Sequence, residues 1–432
     1  MTRFGMVNAL AQSTTPNYKA LVCIFLFGGN DGNNLIVPLN AYTAYAKARS
    51  LLALPQNTLL PVAAATGNVP YGLHPNLTGI QQLFNLKKAA IVANVGTLVQ
   101  SLTRDAYQNP KPGVLIPYNL FSHSDQQTEW QTGIPKAGAP SGWGGRVADA
   151  VAFMNAPSTF PTALSVAGNS TFLNGVTTSP TTLIPGNVPG LAGDNGSNEA
   201  AARDAAFQQL LTFDTGLKLV QSASGITSEG LRVANVLQSV LGNTAALQTA
   251  FPNTSIGQEL QQVAQIIKAR SELNMTRQVF FVSLGGFDTH TNQLGDQGDL
   301  FTQLGDALLA FYNATVELGV DQQVTAFTES DFGRTFQPGS GGTTATVGSD
   351  HAWASNHIVV GGAVKGGNVY GTFPDFTLGG LNDADNRGVW IPGIALDQYG
   401  ATIASWFGVQ QASMATVFPD LANFGTTNLG FV

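Results

Sequence analysis

Histidine is rare in this chain, and most of its histidines stand beside aspartate or serine. The chain has five of them: His74, His123, His290, His351 and His357. Imidazole and carboxylate groups that come together can hold a divalent cation, and a nearby hydroxyl group can act as a nucleophile. These residue types predict one polar site assembled from distant parts of the chain.

The clearest motif is the segment 280–290, FFVSLGGFDTH, in which an apolar run ends in two glycines before Asp288 and His290. Their spacing allows both side chains to face one side of an extended loop. A carboxylate with an imidazole suits zinc or another first-row divalent ion. Two polar groups at a strand end without a partner would cost free energy, so we expect Asp288 and His290 to bind a metal.

Asp31 lies in the segment 28–34, GGNDGNN, directly after the apolar run 20–27. The glycines let the backbone bend and a ligand approach, and the carboxylate could bind a hard cation. The alternative is an Asx turn that closes the strand. The motif alone does not decide between them.

Ser122 and Ser124 flank His123 where a loop is expected to enter a helix. The free N–H groups and the dipole of a helix N-terminus stabilise an anion, so either hydroxyl could attack a phosphate or sulfate ester. The alternative is that one of them only caps the helix. His123 favours the catalytic interpretation.

Two more motifs adjoin predicted strands. Asp331 could complete the metal site and Arg334 could bind an anionic substrate, although an ion pair of Arg334 with Asp331 or Glu329 is the alternative. In the segment 349–357, His351 is the expected ligand. His357 is expected to orient a neighbour or a substrate.

His74 stands apart from the strand ends, just ahead of Pro75. We expect it to form a structural hydrogen bond where a helix begins.

The elements that must position these residues follow an α/β pattern. Short apolar runs predict strands of a mostly parallel central sheet, at 20–27, 89–95, 278–284, 323–328 and 357–361. Amphipathic patterns predict helices between them, at 77–87, 126–131, 198–208, 228–241, 256–273 and 300–318. Residues 1–432 are interpreted as one domain, with 156–257 as a largely helical insertion or cap.

The composition excludes several classes of protein. Charged residues make up only 10% of the chain, the net charge is −7 and no basic run occurs, which argues against a nucleic-acid partner. The single cysteine, Cys23, excludes an intrachain disulfide. No apolar stretch reaches the length of a membrane span, and residues 1–12 are too short for a complete signal peptide.

Taken together, these motifs resemble the DUF1501 family of bacterial proteins, which is placed in the alkaline-phosphatase-like superfamily. The resemblance spans nearly the whole chain, and the motifs that carry it are GGNDGNN, LHP, SH, GGFDTH, TESDFGRT and DHA…NH. It implies a three-layer α/β sandwich. Because Thr2-Arg3-Phe4 is similar to the end of a twin-arginine export signal, it also implies a periplasmic or extracellular protein.

The resemblance also implies a site residue by residue. Asp31 matches an early metal ligand, Ser122 or Ser124 the nucleophile, Asp288 and His290 an Asp/His pair, Asp331 the Asp of an Asp-His pair and His351 a late histidine. Phe332 departs from the pattern, because the superfamily has a second histidine there. A second ion would then need a ligand from His123 or His357.

The expected cofactor is therefore one or two divalent cations, zinc first, with calcium or manganese as alternatives. The expected function is hydrolysis of small anionic phosphate or sulfate esters by an exported enzyme. The alternative is an exported structural or binding protein that keeps the fold without catalysis and assembles into homo-oligomers.

Overall fold

The computed structural model describes residues 18–136, 138–186, 197–243, 246–339 and 341–432. The segment Thr2-Arg3-Phe4, on which the export prediction depends, lies outside these residues. The strands are β1 Lys19–Leu26, β2 Ile36–Pro38, β3 Leu60–Ala63, β4 Pro70–Leu73, β5 Ala89–Gly96, β6 Ala163–Ser165, β7 Thr181–Thr182, β8 Arg277–Leu284, β9 Val324–Ser330, β10 Ser355–Gly361, β11 Val369–Tyr370 and β12 Ile394–Ala395. The helices are α1 Gly32–Leu35, α2 Tyr42–Arg49, α3 Thr78–Asn85, α4 Arg104–Gln108, α5 His123–Thr132, α6 Trp143–Val151, α7 Asn198–Thr212, α8 Lys218–Asn243, α9 Ser255–Lys268, α10 Gln293–Glu317, α11 Leu396–Phe407 and α12 Met414–Val417.

The predicted central sheet is confirmed. Its strands lie in the order β11-β5-β10-β9-β1-β8-β6-β7, and β12 also pairs with β5. β10 runs antiparallel to both of its neighbours, and the other pairs are parallel. A second, antiparallel sheet has the order β2-β4-β3.

β1 shows why the molecule has three layers. Alternate residues of this strand face opposite sides of the sheet, and nearly all of them are apolar and buried. Val22 and Ile24 pack with α3, α9 and α10 on one face, whereas Leu21 and Phe25 pack with α6 and α11 on the other. The predicted mostly parallel α/β sandwich therefore has helices on both faces.

The register of the three central strands places their ends at one edge of the sheet. Leu26 at the end of β1 lies opposite Leu284 of β8 and Ser330 of β9. α10 makes the predicted crossover between β8 and β9, which flank β1. The loops that carry Asp31, Asp288 and Asp331 therefore leave the sheet at the same edge.

The segment 156–257 contributes to the central sheet as well as to helical structure. β6 pairs with β8, and β7 pairs with β6. The same segment provides α7 and α8. Its division from the rest of the chain as an insertion or cap stays a prediction. Among the described residues, no helix is both long and apolar enough to cross a membrane.

Candidate metal centre

Three histidines surround one carboxylate oxygen at the edge of the sheet. Oδ1 of Asp288 lies 3.4 Å from Nε2 of His123, 3.2 Å from Nε2 of His290 and 3.4 Å from Nε2 of His351. Ligand atoms of His123, Asp288 and His351 all lie within 4.8 Å of one another. The structure thus brings together four of the predicted metal ligands from three separate segments.

The second ring nitrogen of each histidine has its own acceptor. Nδ1 of His123 lies 2.7 Å from Oδ2 of Asp331, and Nδ1 of His351 lies 2.8 Å from the carbonyl oxygen of Phe121. Nδ1 of His290 lies 3.3 Å from Oδ1 of Asp350. An ionised carboxylate or a carbonyl oxygen can only accept, so these contacts place the proton on Nδ1 and leave the lone pair on Nε2.

The arrangement of the Nε2 atoms fits a bound cation. Nε2 of His290 and Nε2 of His351 are 3.0 Å apart, so their lone pairs would face each other without a proton or a metal between them. Nε2 of His123 is buried and has no hydrogen-bond partner. Converging lone pairs, each fixed by an acceptor behind the ring, are the usual surroundings of a metal-binding imidazole.

The charges also suit a cation site. Burial opposes ionisation of Asp288, but the positive charge of Arg334 and the hydrogen bond that it donates outweigh burial and lower the pKa of the carboxyl group. Burial, together with the positive charge of Arg334, lowers the pKa of His351 despite its hydrogen bond to Phe121. Asp288 is therefore ionised and His351 neutral near pH 7, as metal ligands must be.

Glycines allow the loops of the site to approach each other. Gly28 has a φ of +115°, and a Cβ atom there would lie 2.3 Å from the backbone nitrogen of Asp288. A Cβ atom on Gly348 would lie 2.2 Å from the backbone carbon of His290. The glycines at these strand and loop ends are therefore required for the two ligand-bearing segments to meet.

The sequence matches a protein family over residues 18–386, and that family is described as "Protein of unknown function (DUF1501)". The chain belongs to this family. No curated protein sequence matches the DUF1501 chain.

Solved structures similar to the DUF1501 chain include, by their printed names, a sulfatase, a synthase and an alkaline phosphatase. The PsFucS1 sulfatase from Pseudoalteromonas sp. has 12% identity and a TM-score of 0.33, with coverage of 92% of this chain and 68% of that chain. The lipoteichoic acid synthase LtaP from Listeria monocytogenes has 8% identity and a TM-score of 0.32, with coverage of 87% and 74%. Alkaline phosphatase from the Antarctic bacterium TAB5 has 10% identity and a TM-score of 0.29, with coverage of 93% and 98%.

Asp331 lies behind His123 and does not join the group of ligand atoms. Its Oδ2 accepts hydrogen bonds from His123 and from Nε2 of Gln127, and its Oδ1 accepts one from the backbone N–H of Gly28. The carboxylate is fully buried. The structure therefore places Asp331 behind His123 and outside the group of possible ligand atoms, whereas the sequence had predicted a ligand.

Asp31 also stays outside the cluster. It caps α1 by accepting the backbone N–H of Asn33, and it forms a buried ion pair with Arg49. Nε2 of Gln293 donates to the same carboxylate. Of the two interpretations that the sequence left open, the geometry supports the local turn, with Arg49 as the partner that neutralises the buried charge.

The other two histidines lie in the core. His357 is fully buried on β10, where burial lowers its pKa to about 3 and its ring packs against Trp130. The structure therefore does not bring His357 to the predicted site. His74 is also buried, and its Nδ1 accepts the backbone N–H of Asn76, a contact that matches the expected structural hydrogen bond.

Ser122 and Ser124 lie at the start of α5, beside His123. Ser122 caps the helix by accepting the backbone N–H of Asp125, and its Oγ lies 3.2 Å from Oγ of Ser124. Ser124 is exposed. Among the described residues, no hydrogen bond joins either hydroxyl to a histidine, so their catalytic role stays a prediction.

Arg334 forms an ion pair that the sequence did not anticipate. Its Nη1 donates to Oδ1 of Asp288 over 3.0 Å, whereas the alternative to substrate binding had named Asp331 or Glu329 as the partner. Its side chain is fully buried, and its Nε and Nη2 have no hydrogen-bond partner. The structure thus places Arg334 against Asp288, and its predicted role in binding a substrate anion stays a prediction.

Phe332, which departs from the superfamily pattern, forms one wall of the cluster. Its ring centroid lies 4.8 Å from that of His123 and 4.6 Å from that of His351. An apolar ring at this position supplies no ligand atom for a second ion. The described residues therefore offer one group of metal ligands.

Sequence reasoning missed the residues that hold the ligands in place. Asp350 lies between His290 and Arg387, whose Nη2 is 2.6 Å from its Oδ2. Gln127 lies one helical turn after His123 and donates to Asp331. His123 and Gln127 are four residues apart on α5 and therefore share a face, but the predicted helix began only at 126.

Proposed function

We propose that this DUF1501 protein is an exported, metal-dependent hydrolase of phosphate or sulfate esters. The observation that carries the proposal is the convergence of three Nε2 atoms on Oδ1 of Asp288. The ester class and the export follow from the motifs shared with the alkaline-phosphatase-like superfamily.

The residues that would hold the cation are His123, His290, His351 and Asp288. Three imidazoles with one carboxylate favour zinc or another first-row metal, because calcium prefers oxygen ligands. We therefore propose zinc before manganese and calcium, and one ion rather than two. Such an ion would supply Lewis-acid polarisation of an ester oxygen.

The surrounding residues would prepare the site for an anionic substrate. Asp331 and the carbonyl group of Phe121 fix the rings of His123 and His351, and Arg334 fixes Asp288. The N–H groups at the start of α5 add a positive potential beside His123. The half-exposed carboxylate of Asp288 keeps the cluster open to solvent.

Ser124 is the better candidate for the nucleophile. It is exposed, whereas the hydroxyl group of Ser122 is engaged in capping α5. In the proposed reaction, Oγ of Ser124 would attack the phosphorus or sulfur atom, the bond to the alcohol oxygen would break and the alcohol would leave with a proton. Water would then release phosphate or sulfate from the serine.

One observation favours the alternative of a binding protein without catalysis. Neither serine has a described hydrogen bond to a group that could take its proton, and Arg334 is buried. A protein that holds a metal and binds anions without catalysis would need neither a base beside the serine nor an exposed Arg334. Turnover by the purified protein distinguishes the two functions.

The test combines metal analysis with an assay on aryl phosphates and aryl sulfates. The hydrolase proposal predicts about one ion per chain and turnover that falls at least about 100-fold in Asp288→Ala and in Ser124→Ala. Asp299→Ala, an exposed aspartate on α10, is the matched control and should keep full activity. A metal-free, inert protein would contradict the hydrolase, and bound metal without turnover would support the binding protein.

A further inference from the structure

α7 and α8 form a helical hairpin that extends from the body of the protein. Five residues, 213–217, connect the two helices, which contact each other, and so short a connection makes them antiparallel neighbours. The hairpin is anchored by the C-terminal part of α8, where Val233, Ala234 and Leu237 are buried. From 198 to 232, most residues are exposed or only partly buried.

The end of this hairpin is apolar. Six large side chains around the turn are exposed by 38 to 83%: Leu210, Phe213, Leu217, Leu219, Val220 and Ile226. With about 200 Å² for each such side chain when fully exposed, they present about 800 Å² of surface. The largest apolar patch of a typical monomer measures roughly 300–600 Å².

We propose that a second copy of this chain covers the hairpin end, so that two hairpins form a four-helix bundle. The exposed apolar area is close to the roughly 800 Å² that each partner buries in a standard interface. A twofold interface uses the same patch on both copies, and two antiparallel helix pairs can pack their apolar sides face to face. This assembly is independent of the proposed function.

The charges around the hairpin end favour this occupant over a lipid surface. Between 210 and 226 the only charged residues are Asp214 and Lys218. A helix that lies on a membrane usually carries several Lys or Arg residues on its polar face, and a strongly charged partner would need a complementary patch. A nearly uncharged apolar surface is complementary to itself.

The test measures the molar mass of the full chain by analytical ultracentrifugation across the micromolar range. The wild type should be a dimer, and Leu217→Glu/Leu219→Glu should weaken the dimer at least about 100-fold, because each charge would be buried at the interface. Leu86→Glu is the control, since Leu86 is as exposed as Leu217 but lies at the end of α3. Unchanged circular dichroism would show that the double variant is folded.

A cross-link provides a second measurement that puts no charge into the interface. Cys23 is the only cysteine and is buried, so Ile226→Cys introduces one accessible thiol. A short bismaleimide should join two chains through Cys at 226, and the double glutamate substitution should abolish this product. A wild type that stays monomeric, or that sediments with phosphatidylcholine vesicles as a monomer, would overturn the proposal, as would a double variant that remains dimeric.

Discussion

Asp331→Ala tests whether the residues behind the ligands assemble the metal site. The carboxylate is fully buried and accepts hydrogen bonds from Nδ1 of His123 at 2.7 Å, Nε2 of Gln127 at 2.9 Å and the backbone N–H of Gly28 at 3.2 Å. Alanine removes the acceptor of all three hydrogen bonds. The ring of His123 then loses the contact that fixes its tautomer and its orientation.

The size of the effect follows from these contacts. Loss of an acceptor behind a metal-binding histidine typically lowers metal affinity about 10- to 100-fold, which corresponds to roughly 1–3 kcal/mol. The metal-free protein should also lose stability, because each buried donor left without a partner costs about 1–3 kcal/mol. We therefore expect weaker zinc binding and a lower free energy of unfolding in the same variant.

The assay is a zinc titration in competition with a chelator of known affinity. Asp331→Asn should fall between the wild type and Asp331→Ala, because its amide oxygen can still accept from His123. Asp350→Ala is the matched control for position, since Asp350 contacts His290 at 3.3 Å and is half-exposed. Its metal affinity should fall less than about tenfold.

One pattern of results would refute this reasoning. If Asp331→Ala binds zinc as tightly as the wild type while Asp288→Ala does not bind it, His123 would not be a ligand that Asp331 positions. The site would then have to be built from the remaining residues.

Three further predictions follow from the same structure. Gly28→Ala should lower the free energy of unfolding by at least about 1–3 kcal/mol and weaken metal binding, because a Cβ atom would meet the backbone of Asp288 at a strained positive φ. Chemical denaturation measures the first effect, and the zinc titration measures the second. Burial raises the pKa of Glu129 to about 8. The protonated carboxyl group therefore contributes its full stability below about pH 4.5, and this contribution is lost as the pH rises through 8. Glu129→Gln should remove a slope of roughly 1 kcal/mol per pH unit from the free energy of unfolding between pH 4.5 and pH 8. Removal of the metal with a chelator should lower the melting temperature of the wild type, and it should leave that of Asp288→Ala unchanged, since only a bound ligand stabilises the folded state.

The central sheet could be predicted because its strands carry their own local signal. β1, β5, β8, β9 and β10 have seven or eight residues each, and a predicted apolar run overlaps every one of them. β6 and β7 contain only three and two residues, too few for a periodic pattern. The antiparallel direction of β10 depends on how the chain connects in space, which a strand pattern does not encode.

The sequence motifs singled out the residues that cluster around Asp288, but they did not indicate the residues that hold this cluster in place. Asp288, His290 and His351 stand in short motifs that single them out. By contrast, the partner of Asp31 is Arg49 on a different element, and the partner of Arg334 is Asp288 at the end of another strand. Such choices between a local turn, an ion pair and a metal depend on long-range contacts that no single motif contains.

The most direct test of the central claim is anomalous X-ray scattering from crystals grown with zinc. A single peak should lie about 2.0–2.2 Å from Nε2 of His123, His290 and His351 and from an oxygen of Asp288. The absence of a peak at these atoms, or a peak held by other residues, would contradict the account.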